Sequence, residues 1–330
     1  MQVLVYDAHS YDREFLDAAA GDDYTFSYTA ATLDAQTAAL ARGIPAICCF
    51  VNDDGSEPIL RQLAAGGTRL LTLRCTGFNN VDLAAAERLG IMVTRVSAYS
   101  PYAVAEFAVG LLQTLNRKIH RAFNRTRENN FRLAGLLGHD IHGKTVGVIG
   151  TGKIGAVFAR IMQGFGCTVL AYDVLQNPAC VAADVRYTTL EELLSVADIV
   201  SLHVPLMPDT HHLINAGMLA LMKPGAMLIN TSRGGLIDTE ALLDALRAGR
   251  LGAVGLDVYE EEEGLFFRDL SDEIMVDEIF ARLMTFPNVL VTGHQAFFTH
   301  EAMTTIAETT IRNISDFAAG RVNENVLKPK

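Results

Sequence analysis

Arg233, His294 and four consecutive carboxylates, Glu260, Glu261, Glu262 and Glu263, each come soon after a short apolar run that reads as a β-strand. An arginine fork can grip a carboxylate through two parallel hydrogen bonds. An imidazole can hand over a proton near neutral pH, and a carboxylate beside it favours the charged ring. Together these groups meet the needs of carbonyl reduction on an acid. Taken singly, each has a plainer reading: Arg233 as a surface cation, the glutamates as a solvated run, His294 as a satisfied core histidine.

A second constellation lies upstream. Gly150, Gly152 and Gly155 form G-x-G-x-x-G at the end of the run Val146-Gly147-Val148-Ile149, and apolar Ile154, Val157, Phe158, Ile161, Met162 and Phe165 follow at helical spacing. Such a loop lets the backbone approach a pyrophosphate at a helix N-terminus, while its last glycine permits close helix–strand packing. Asp173 ends the next strand candidate, where a carboxylate can accept from both hydroxyls of an adenine ribose and repels a 2′-phosphate. The order of strand, glycines, helix, strand and acid predicts NAD rather than NADP; the alternative is a bare α/β turn.

The elements that must hold these residues form an alternating pattern. Strand candidates at residues 3–8, 24–30, 44–52, 70–77 and 91–96 are separated by Ala- and Leu-rich stretches. Ser100-Pro101 then opens a long helix with Val104, Phe107, Ala108, Leu111, Leu112 and Leu115 on one stripe, which could dock two domains or form a subunit contact. Six further candidates follow at 146–150, 168–173, 198–204, 226–232, 252–258 and 288–294, enough for two mononucleotide-binding halves. A final helix over 299–319 is too short to stand alone and is expected to pack back on the first segment. The predicted fold is therefore α/β with two doubly wound parallel sheets. A discontinuous substrate domain (1–99 and 299–330) flanks a Rossmann NAD-binding domain (100–298), and the 330 residues suit two cores better than one.

The whole chain resembles the D-isomer-specific 2-hydroxyacid dehydrogenases, most closely the bacterial fermentative D-lactate dehydrogenases. The resemblance rests on Arg74-Cys75-Thr76-Gly77-Phe78-Asn79-Asn80-Val81-Asp82, Ser100-Pro101-Tyr102-Ala103-Val104-Ala105-Glu106, the glycine loop, Asn230-Thr231-Ser232-Arg233-Gly234, Leu256-Asp257-Val258-Tyr259-Glu260 and Gly293-His294-Gln295-Ala296-Phe297. It implies a flavodoxin-like substrate domain and an active site of Arg233, Glu262 and His294, with the distance from Asp257-Val258-Tyr259 selecting Glu262. It also implies NAD contacts at Lys153, Ile154, Asp173, Val204, Pro205, Thr210, Thr231, Ser232, Arg233 and Asp257, although Thr210 stands where the family would have asparagine.

On this reading Arg233 holds a 2-oxo acid, aided by backbone N–H groups of Gly77 and Phe78. His294 donates a proton while hydride reaches C2, and Glu262 favours the charged imidazole. Tyr99 and Phe298 would line the substrate pocket together with Leu265-Phe266-Phe267, or simply pack in the core. The implied reaction is reversible reduction of pyruvate to D-lactate. Bulkier 2-oxo acids such as phenylpyruvate or 2-oxoisocaproate are the alternative within the class, and an NAD-sensing corepressor-like binding protein the alternative outside it.

The formal charge of −11 disfavours nucleic acid and anionic lipid as partners. The basic stretch Arg117, Lys118, Arg121, Arg125, Arg127 and Arg132 reads as a solvated or subunit-contacting face, and a homo-oligomer, dimer or tetramer, is expected. No signal peptide or membrane-spanning run is legible. Five cysteines without a C-x-x-C pair point to reducing cytoplasm. No metal is expected: His203, His211 and His212 are candidate ligands by type, but neighbours on a helix point apart and no spaced carboxylate or cysteine accompanies them.

Overall fold

The computed structural model describes residues 1–21 and 24–329, which form two compact units. Met1–Ser100 with Phe298–Lys330 make the first, and Pro101–Phe297 the second.

The first unit is built on five parallel strands, β1 (Gln2–Val5), β2 (Thr25–Tyr28), β3 (Ala46–Cys49), β4 (Leu70–Leu73) and β5 (Met92–Thr94), in the order β2-β1-β3-β4-β5. That is the flavodoxin-like order. β3 and β4 are buried at every position, as strands covered by helices on both faces must be. The covering of one face comes from far along the chain: helix His300–Ala318, capped by Thr299 Oγ1 accepting from Ala302 N, sets Ala307 and Ile314 against Val3, Val5, Cys48 and Leu70. An asparagine network fastens the segment after it. Asn313 Oδ1 accepts from Asn325 Nδ2 (3.0 Å), and Ser97 Oγ donates to Asn325 Oδ1 (2.9 Å).

The second unit holds seven parallel strands: β6 (Thr145–Ile149), β7 (Thr168–Tyr172), β8 (Arg186–Tyr187), β9 (Ile199–Leu202), β10 (Met227–Asn230), β11 (Ala253–Leu256) and β12 (Val289–Val291). Their order is β12-β11-β10-β9-β6-β7-β8, with the direction of travel reversing between β6 and β9. The sequence yields six of these; β8 escapes because two residues carry no periodicity.

The helix Pro101–Arg117 buries Val104, Ala108, Leu111, Leu112 and Leu115 inside this unit, with Phe107 partly buried beside them. Leu111 and Leu115 lie over Gly255 of β11, where an added Cβ would stand 3.0 Å from Leu115 Cδ1. Ala108, Leu111, Leu112 and Leu115 of the stripe thus belong to the core of this unit. The following helix, Ile119–Arg127, has no buried residue.

Candidate active site

Every strand from β6 to β12 that carries a candidate residue delivers it at its carboxyl end, on one edge of the sheet, where open α/β sheets bind ligands. Gly150 follows β6, Asp173 follows β7, Val204 and Pro205 follow β9, Thr231, Ser232 and Arg233 follow β10, Asp257 follows β11 and His294 follows β12.

Glycine is needed twice in the loop after β6. At Gly150 (φ +93°) a Cβ would come within 2.7 Å of the His203 carbonyl and 2.8 Å of Val204 Cγ1, and at Gly155 it would collide with the Gly150 carbonyl. Gly152 differs in kind. It is the N-cap of helix Lys153–Gly164, no side chain caps that helix, and a Cβ there would meet open space. Lys153 is exposed in the first turn, while Ile154 packs on the core. Asp173 Oδ2 accepts from Thr151 N (2.6 Å) and Thr151 Oγ1 (3.1 Å), and Thr151 Oγ1 accepts from Tyr187 OH (2.8 Å). Asn177 closes this brace by donating from Nδ2 to Thr151 O (2.7 Å). Sequence reading missed Thr151, Asn177 and Tyr187, since none belongs to the glycine motif.

An NAD molecule suits this edge. The uncapped helix N-terminus behind Gly152 offers N–H groups and room for a pyrophosphate. Thr231 Oγ1 is buried and has no partner among the described residues, a vacancy in hydrogen bonding that a ligand can fill. The Ser232 hydroxyl, by contrast, is committed to Val204 O (2.6 Å). Thr210 Oγ1 donates to Pro205 O (2.7 Å) and accepts from Met207 N (2.8 Å), so it shapes the loop after β9 and spends its one donor there.

The chemical residues sit in the segments that follow β10, β11 and β12. Arg233 Nη1 donates to Ser232 O (2.7 Å), and Asn230 Nδ2 donates to Arg233 O (2.8 Å). Gly234 then passes so close to Tyr259 and Glu260 that a Cβ would collide with the Tyr259 carbonyl. His294 Nδ1 lies 2.8 Å from Glu262 Oε1, and Glu262 Oε2 accepts from Tyr259 N (3.0 Å). With Nδ1–H facing a carboxylate, Nε2 is the ring atom left to meet a substrate. The four-glutamate ambiguity resolves here: Glu262 reaches His294, whereas Glu260 turns to His212 and to Thr239 Oγ1 (2.9 Å).

His294 occupies the left-handed backbone region at φ +54°. Asp257 holds it there. Asp257 is fully buried; its Oδ1 accepts from Thr292 Oγ1 (2.6 Å) and Gln295 N (2.9 Å), its Oδ2 from Ala296 N (2.8 Å), and its carbonyl from His294 N (2.7 Å). Burial raises its carboxyl above the usual range, and these hydrogen bonds oppose the shift. Phe267 packs its ring 5.6 Å from that of His294, while Phe266 belongs to the buried core against Phe280.

In the first unit, Arg95 Nη1 donates to Thr76 O (3.1 Å) and its guanidinium covers the Phe78 ring at 5.1 Å. Among the described residues the N–H groups of Gly77 and Phe78 donate to no protein acceptor. Tyr99 is partly buried, and Phe298 is 48% exposed while meeting Tyr11 edge-on at 4.8 Å.

The histidine reasoning needs correction. His203 turns to Ser201 Oγ (2.9 Å), but His211 and His212 are not helical, do not point apart, and share a carboxylate partner in Glu260. All five cysteines are buried and unbridged, and no helix is long and apolar enough to cross a membrane among the described residues.

Comparison with known proteins adds the lineage. Residues 109–296 match the model described as D-isomer specific 2-hydroxyacid dehydrogenase, NAD binding domain. The D-lactate dehydrogenase of Escherichia coli K12 is 47% identical over 329 residues, covering 99% of this chain and 100% of that one. Its apo structure superposes with a TM-score of 0.92 at 46% identity, with coverage of 99% and 100%. A structure described as the pyruvate reductase of Chlamydomonas reinhardtii gives 0.95 at 45%, with 98% of each chain covered.

Proposed function

The chain belongs to the D-isomer-specific 2-hydroxyacid dehydrogenases, a family of NAD-dependent oxidoreductases, and on that footing we propose that it reduces pyruvate to D-lactate with Arg233, Glu262 and His294 as its working residues. Arg233 pairs its guanidinium with the substrate carboxylate and fixes the angle at which the carbonyl is presented. His294 donates from Nε2 to the carbonyl oxygen. Glu262, held by Tyr259 N–H, keeps the ring oriented through Nδ1 and favours its charged form. Bound NADH supplies the hydride. Lys153, Ile154, Asp173, Val204, Pro205, Thr231 and Asp257 complete the cofactor surface. The free N–H groups of Gly77 and Phe78 serve the substrate carboxylate, with Tyr99 and Phe298 beside the substrate.

The observation that carries this reading is the 2.8 Å contact of His294 Nδ1 with Glu262, on a turn clamped by Asp257. A binding protein has no need of an imidazole so held. A homo-oligomer in the cytoplasm completes the proposal: Ile119, Phe123 and Phe131 among the arginines of residues 117–132, with Leu133 and Leu137 just after them, are exposed apolar side chains, a composition suited to a subunit contact. Absorbance of NADH with pyruvate, followed by chiral analysis of the lactate, tests the reaction. D-lactate is the expected product. Turnover confined to phenylpyruvate or 2-oxoisocaproate would move the substrate and keep the residues, and NADH binding without turnover on any 2-oxo acid would overturn the enzyme reading.

A further inference from the structure

Nothing in the sequence spacing brings His211, His212 and Glu260 together, yet the fold does so on the flank of the same edge. Directly after the turn Pro208–Thr210, His212 enters the left-handed region (φ +50°) and its N–H is fixed to Gly235 O (2.8 Å). Its ring therefore swings beside that of His211, with centroids 3.9 Å apart and planes 25° from parallel. His212 Nε2 contacts Glu260 Oε1 closely, and His211 Nε2 lies 3.9 Å from the same oxygen. One donor atom from each residue falls within 4.8 Å of the others. Thr239 Oγ1 occupies the second oxygen of Glu260 at 2.9 Å, which turns Oε1 toward the two rings.

We propose that His211 Nε2, His212 Nε2 and Glu260 Oε1 bind a late first-row divalent cation, Zn²⁺ above all. Two imidazoles and one carboxylate are a borderline-soft donor set that suits zinc with a fourth position left for water, and it disfavours Mg²⁺ and Ca²⁺. Donors at about 2.0–2.2 Å from one tetrahedral ion stand roughly 3.3 Å from each other. The His211–Glu260 pair must therefore close by about half an ångström, and the His212–Glu260 pair, in direct contact, must open as the ion takes the place of their hydrogen bond; the His211 side chain, 55% exposed, is free to swing that far. Thr239 supplies the outer hydrogen bond that orients a ligating carboxylate.

The site is tied to the reductive residues through the backbone. Tyr259, whose N–H holds Glu262, precedes Glu260 by one peptide, and Gly234 beside Arg233 is packed against the same two residues. An ion that draws on Glu260 pulls on the segment that shapes Glu262, so occupancy lowers turnover.

The test is calorimetric titration of the full chain with Zn²⁺ at neutral pH after chelation and exchange into metal-free buffer, with Co²⁺ absorption as a second readout of coordination. One ion per chain is expected. His211→Gln should weaken binding at least about ten-fold, leave metal-free turnover unchanged, and shift inhibition by Zn²⁺ to higher concentration; Glu260→Gln should weaken binding as well. Absence of saturable binding, or binding equal in parent and His211→Gln, would overturn the assignment. Calorimetry needs no substrate, so a failure to turn over pyruvate leaves the metal result standing.

Discussion

Replacing His294 by asparagine should lower kcat by roughly 10²–10⁴-fold while NADH affinity, read by fluorescence titration, stays near that of the parent. Asparagine is the informative replacement because His294 sits at φ +54°, a region that asparagine tolerates and β-branched residues do not. Comparable turnover in that variant would remove His294 from the proton path. Arg233→Lys should act on the substrate side. A point charge cannot reproduce the planar fork, so kcat/KM for pyruvate should fall roughly five- to 150-fold, the equivalent of about 1–3 kcal/mol, measured against an unchanged KM for NADH. At this scale the sequence was informative about type and ambiguous about identity. Arg233 and His294 stand at strand ends, but so do Arg74, Arg95 and His203, so type and place alone do not single them out; Glu262 was picked from four glutamates only through the resemblance, and its contacts with Tyr259 N–H and the His294 ring are visible in space alone. Asp257 illustrates the converse: the resemblance marked it as a cofactor contact, but its embrace of Thr292, Gln295 and Ala296 depends on a turn with no sequence signature of its own.

The turn after β12 is an element whose shape depends on one buried carboxylate. Asp257→Asn keeps the volume but replaces one acceptor oxygen by a donor facing a backbone N–H, a mismatch worth about 1–3 kcal/mol. The expected outcome is a lower kcat with faster amide hydrogen exchange at Gln295 and Ala296. Unchanged exchange there would show that the turn holds itself. The strands and long helices were legible because their apolar spacing is imposed by burial on both faces of a parallel sheet. β8 was not, since its value lies in Tyr187 OH reaching Thr151, and neither was the His211–His212 turn, since a left-handed residue other than glycine leaves no mark on composition.

For the molecule as a whole, the exposed apolar residues among and just after the arginines of residues 117–132 predict an assembly larger than one chain by light scattering, and Phe123→Asp with Leu137→Asp should reduce it to a monomer. Stability should carry a pH signature from the first unit. Burial pushes the Asp53 carboxyl from 3.8 up to about 6, against the opposing pull of the Leu33 and Phe50 N–H groups. The folded state then holds this proton more tightly than the unfolded chain, so its contribution is full below about pH 4 and is lost as pH rises through about 6. Relative to Asp53→Asn, the parent should lose on the order of 3 kcal/mol of unfolding free energy across that window in urea titrations, and parallel profiles would reject the assignment.

The order of synthesis adds a constraint of its own. Val3, Val5, Cys48 and Leu70 are made before Ala307 and Ile314, which share one core with them. The intervening unit, Pro101–Phe297, is fully synthesised before that cover exists. Until then Leu16 of the first helix is left to cover that face without Ala307 and Ile314, so a chain stopped near residue 297 would carry one complete unit and one with part of its sheet face bare and prone to association.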